Sequence, residues 1–75
     1  MDDLIKLARN ETERRILKKM EKMGFPGSVK TTVFVTVQIA PESAMELEAL
    51  LDNGATPREM AKAVQPIIKE TEKAK

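Results

Sequence analysis

Arg14, Arg15, Lys18, Lys19 and Lys22 place five positive charges within nine consecutive residues. If that stretch is helical, a step of about 100° per residue gathers them on an arc of about 140°, opposite Ile16, Met20 and Met23. Such a stripe can follow a phosphate backbone or grip an acidic partner. It is equally what the solvated face of an amphipathic helix looks like, with Glu11 and Arg15 at ion-pair spacing. A role on a membrane surface fits less well, because the apolar face carries no Trp and is needed for a core.

A second set of polar side chains falls later in the chain, at Lys30, Thr32, Thr36 and Gln38. On an extended strand, Thr32, Thr36 and Gln38 share one face. Two such strands paired as a ribbon could present that face to base edges in a DNA major groove. The alternative is an ordinary solvent-facing strand side, with Phe34 packed under the first helix.

Catalysis finds little to work with. The chain has no Cys and no His, which removes thiolate or imidazole zinc sites, disulfides and nucleophile–base pairs. Ser28, Ser43 and the threonines have no His to activate them. The carboxylates alternate with Lys and Arg as solvated helix surfaces do, and Asp2 and Asp3 suit a helix start. Asp52-Asn53-Gly54 is a helix stop and not the start of a calcium loop. The three glycines, at positions 24, 27 and 54, build no phosphate-binding loop. Neither an enzyme nor a cofactor or metal site is expected. Phe25 and Phe34 are the only aromatics, too few for a base-stacking surface.

The elements that must position these residues occupy one domain, 1–75. A chain of 75 residues buries only about 60% of its unfolded surface, and domains this small usually need a staple. Without disulfides or metal, oligomerisation is the staple left. The periodicity predicts a helix over 1–24, with Ile5, Ala8, Thr12, Ile16, Met20 and Met23 in one stripe. Asn10 and Glu13 have capping-box spacing, so a second helix could start there. Residues 30–40 alternate Val33, Val35, Val37 and Ile39 with Thr32, Phe34, Thr36 and Gln38, which predicts a strand. Pro41 opens a helix over 41–53, and Thr56-Pro57-Arg58-Glu59 starts another over 56–74. Pro66 falls inside the last helix and should kink or restart it.

One strand alone leaves its backbone donors and acceptors without partners. The economical solution is the same strand of a second chain, giving a two-fold antiparallel ribbon. The expected fold is therefore α+β in helix–strand–helix–helix order, as an intertwined homodimer. Its core would be Val33, Val35, Val37, Ile39, Leu47, Leu50, Leu51, Met60, Val64, Ile67 and Ile68.

The segment 33–71, through VTVQIAPESAMELEALLDNGATPREMAKAV, resembles the ribbon-helix-helix family of DNA-binding dimers. It shares the alternating strand running straight into a helix, and the turn Gly54-Ala55-Thr56-Pro57-Arg58-Glu59 into the next helix. The resemblance implies that Thr32, Thr36 and Gln38 look toward bases, and that amides near Thr56 approach a phosphate. The strand lacks the usual Arg or Lys beyond Lys30, Pro66 interrupts a helix the family keeps whole, and a long helix precedes the ribbon.

The leading functional expectation is a small DNA-binding dimer, a transcriptional regulator, in which the ribbon reads double-stranded DNA and the basic stripe holds phosphates. The other is a non-catalytic dimerisation or adaptor module that docks a partner protein through its first helix, with an apolar patch around Leu4, Leu7 and Leu17. The formal charge of +1, from 13 basic and 12 acidic residues, favours the adaptor, whereas the element order favours the regulator. No apolar run reaches the roughly 18 residues of a membrane span and no secretory signal is evident, so a cytoplasmic location is expected.

Overall fold

The computed structural model describes residues 4–73, and Asp2 and Asp3 lie outside them. Five α-helices follow one another: α1 (Leu4–Leu7), α2 (Glu11–Lys22), α3 (Gly27–Ile39), α4 (Ala44–Asp52) and α5 (Pro57–Lys73). A 3-10 turn at Pro41–Ser43 leads into α4. Among the described residues there is no strand. This overturns the α+β expectation, the intermolecular ribbon and the ribbon-helix-helix resemblance together.

The reason lies in α3, which occupies the segment read as a strand. The apolar positions of that segment satisfy two periods at once. Read every second residue, Val33, Val35, Val37 and Ile39 share a strand face. Read at helical steps, Val33, Phe34, Thr36, Val37 and Ala40 fall on an arc of about 160°, and these are the buried ones. A helix pairs its backbone groups within the segment, so the single-strand argument for a second chain no longer applies. β-Propensity is a weak preference that burial overrides. The threonines adapt to the helix: Thr32 Oγ1 donates to the Ser28 carbonyl at 2.9 Å and Thr36 Oγ1 to the Thr32 carbonyl at 2.7 Å.

Local capping fixes the other boundaries. The break at Asn10 is real: its side-chain oxygen accepts from the Glu13 amide at 2.9 Å, starting α2. Both glycine stops are Schellman closures. After α2, Gly24 adopts φ 75°, with Phe25 N–H reaching the Met20 carbonyl at 3.0 Å and Gly24 N–H reaching Glu21 at 3.1 Å. After α4, Gly54 adopts φ 83°, and Ala55 and Gly54 reach Leu50 and Leu51 in the same way. A reciprocal capping box opens α5, Glu59 N–H to Thr56 Oγ1 and Thr56 N–H to the Glu59 carboxylate. That helix runs unbroken through Pro66.

The central helix is α3, packed between α2 and α5, while α4 closes against α2 and α5. Ile16, Leu17 and Met20 meet Val33, Phe34, Val37, Leu47, Leu51, Met60 and Val64 in one core. Phe25 and Ala55, each just past a Schellman glycine, are drawn into the same core. Two expected core residues are not there. Val35 and Ile39 are 45% and 46% exposed, because a helix turns them away from the face that Val33 and Val37 bury. Leu17 is fully buried while Leu7 is 60% exposed, so the apolar patch expected around Leu4, Leu7 and Leu17 does not form as drawn. Among the described residues, no helix is long and apolar enough to cross a membrane.

Candidate functional site

The basic stripe of α2 is formed as a helical face, but most of it is already engaged within the chain. Arg14 pairs with Glu11, one turn back. Arg15 grips Glu48 of α4 with both ends of its guanidinium, Nε at 2.8 Å and Nη2 at 3.1 Å. Lys19 joins the same carboxylate at 3.0 Å and adds Asp52 at 2.6 Å. Two i,i+4 pairs, Arg15/Lys19 and Glu48/Asp52, thus face each other as a four-charge clamp between α2 and α4. The Glu48 side chain is only 14% exposed. Hydrogen bonds from Arg15 and Lys19 bring its carboxyl down to about 2. Hydrogen bonds to Glu48 raise Arg15, and those to Asp52 and Glu48 raise Lys19.

Lys18 and Lys22 remain. They sit one turn apart and form no ion pair among the described residues. They border a groove of about 570 Å³ between α1 and α2, lined by Ile5, Arg15, Lys18, Lys19, Glu21 and Lys22. Ile5 packs against the protein core, so the groove has an apolar base and a rim that is mainly cationic. The geometry suits an elongated apolar segment carrying negative charge on its flanks.

The residues expected to face DNA from a ribbon are scattered by the helix. At about 100° per residue, Lys30, Thr32, Thr36 and Gln38 point around α3 and not along one side of it. Thr36 is in the core, and Lys30 is half-buried in the first turns of α3. Gln38 reaches back to α2 and α1, its amide donating to the Glu13 carboxylate at 3.3 Å and the Leu7 carbonyl at 3.4 Å. The Thr56 amide is held by Glu59. Thr36 is thus taken up by the core, Gln38 by the α1–α2 turn and the Thr56 amide by its own capping box.

Glu13 is the polar residue that sequence reasoning placed on a solvated face, and it is buried. Its carboxylate accepts from the Arg9 amide at 2.9 Å, the Arg9 guanidinium at 3.3 Å, Asn10 at 3.4 Å and Gln38 at 3.3 Å. Burial pushes this carboxyl up, but the hydrogen bonds from Arg9 and Gln38 and the Arg9 charge outweigh it and hold it below its ordinary value. Its role is to tie the α1–α2 turn to α3. The capping-box spacing was the visible signal, since Glu13 is the N3 residue of that box. No family model matches the chain, nor does any curated protein sequence or solved structure.

Proposed function

We propose that this chain is a non-catalytic interaction module that holds an acidic, amphipathic helix of a partner protein in the groove between α1 and α2. The observation that carries this reading is the division of labour along the stripe. Arg15 and Lys19 are neutralised by Glu48 and Asp52, while Lys18 and Lys22, which form no ion pair among the described residues, lie beside an apolar base. A partner helix would lay apolar side chains near Ile5 and set Asp or Glu against Lys18 and Lys22, the helix-in-groove mode of recognition. Glu21, also on the rim, disfavours a uniformly anionic ligand and favours one with patterned charge.

The DNA-regulator reading has less support. With the ribbon gone, Lys30, Thr32, Thr36 and Gln38 no longer form the row of base-reading side chains that reading needed. Five phosphate contacts would give a log–log salt slope of about −4.5, whereas two lysines give about −1.8. The test titrates the protein with a labelled 15-residue peptide carrying Leu at i, i+3 and i+7 flanked by Glu, and separately with random-sequence duplex DNA. Saturable peptide binding that drops at least tenfold in the Lys18→Glu/Lys22→Glu variant is the expected result. DNA binding with a slope near −4.5, or peptide binding unchanged by the double substitution, would overturn the proposal.

A further inference from the structure

Of the five helices, α1 is the least able to hold itself in place. Its 4 residues make a single turn, far short of the roughly 12 at which an isolated helix becomes even marginal in water. None of the four is buried, and Leu7 is 60% exposed. Leu4, Ile5 and Ala8 pack on the core as partly buried side chains. Elements with so little burial open at a lower free energy than the whole fold.

Four hydrogen bonds latch this turn to the body of the protein. The Arg9 amide donates to the Glu13 carboxylate at 2.9 Å. The Arg9 guanidinium adds the same carboxylate at 3.3 Å and the Gln38 carbonyl, near the end of α3, at 3.2 Å. The Gln38 amide answers with a bond to the Leu7 carbonyl at 3.4 Å. Glu13 and Gln38 belong to α2 and α3, whereas Leu7 and Arg9 belong to the turn. Releasing the turn does not strand Glu13, which keeps Asn10 and Gln38 and gains water. The latch can therefore open without leaving a buried charge unpaired. Asn10 stays behind as the N-cap of α2, which places the hinge just before it.

We propose that α1 is a strap, hinged between Ala8 and Asn10 and latched by Arg9, and that a partner helix is held only while the strap is docked. This rests on the α1–α2 groove being the partner site. The unpaired cations of that groove, Lys18 and Lys22, stand on α2, while its apolar base, Ile5, rides on α1. A groove whose two sides sit on separately anchored elements exists only when both are in place. Binding and docking are then linked. The partner draws the strap shut, and every chain with an open strap is lost to binding.

Amide hydrogen exchange of the full chain, followed by NMR, tests this. The reporters are the Ala8 amide, which reaches the Ile5 carbonyl at 3.2 Å, and the Arg9 amide on Glu13. In the free protein both should exchange well ahead of Met20, Val33 and Val37, and should depend little on low urea, as a local opening does. The Arg9 side chain is 60% exposed, so Arg9→Ala keeps the core and should speed both amides about tenfold. The Leu- and Glu-bearing peptide, at about a hundred times its Kd, should slow them about a hundredfold. Lys18→Glu/Lys22→Glu should abolish that slowing and leave exchange in the free protein unchanged. Strap amides that exchange at the core's rate with the core's urea slope would overturn the proposal, as would no response to Arg9→Ala or a bound peptide that leaves them unslowed. A peptide that never binds removes the groove reading and the strap's hold on a partner together, while exchange in the free protein still decides whether the turn is hinged.

Discussion

Replacing Glu48 with Gln keeps the shape of the α2–α4 clamp and removes its central charge. Glu48 has three close hydrogen bonds to cations, two from Arg15 and one from Lys19, and its carboxyl lies at about 2 against an ordinary 4.5. A gap of that size corresponds to about 3 kcal/mol. Arg15 is 51% exposed, and solvent screening at that edge brings the net contribution to about 1–2 kcal/mol. Because the folded value lies below the unfolded one, the unfolded chain takes up this proton first as pH falls. The stabilisation is therefore complete above about pH 4.5 and fades as pH drops toward 2. Urea melts of both proteins by circular dichroism, at about 5 µM between pH 7 and pH 2, should show Glu48→Gln weaker by about 1–2 kcal/mol at pH 7. The two curves should converge near pH 2, and added salt should narrow the neutral-pH gap. A variant within about 0.3 kcal/mol of the parent at pH 7, or a gap that ignores pH, would refute the reasoning.

The core hydroxyl of Thr36 serves only the Thr32 carbonyl, which its own helix already uses. Thr36→Val should therefore change stability by less than about 1 kcal/mol, whereas a strand face turned toward bases would make the same change a loss of binding. Pro66 sits within a continuous α5 and removes one backbone donor. Pro66→Ala should raise stability by about 1–3 kcal/mol, read as a higher urea midpoint with an unchanged slope.

The parts of the fold legible in the sequence are those governed by near neighbours. Asn10 with Glu13, Gly24, Gly54 and Thr56 with Glu59 mark helix ends within a few residues of themselves, and the structure places the ends there. The error lies where two periods coexist. Four β-branched residues at alternate positions suggested a strand, yet Phe34 and Ala40 were the discriminating positions, because only a helix buries them together with Val33 and Val37. The basic stripe was visible as a helical face. Its neutralisation was not, because Glu48 and Asp52 are 29 to 33 residues away in sequence. The matched i,i+4 spacing of the two pairs was the available hint. Glu13 looked like any surface acid, and only the return of α3 past the α1–α2 turn, bringing Gln38, encloses it.

The double periodicity of α3 also bears on what happens when the protein unfolds. Residues 31–40 contain ten consecutive positions with no charge, no Pro and no Gly, and eight of the first nine are β-branched or aromatic residues that favour extended pairing. That is the signature of a segment able to stack into cross-β fibrils. Within the native chain the helix sequesters those backbone groups, with Pro26 at one end and Pro41 at the other acting as gatekeepers against strand extension. Unfolding of the bundle thus exposes a sequence poised for intermolecular assembly. Heating an acidified sample should leave thioflavin-positive material, and full recovery of the helical spectrum on cooling would exclude that route.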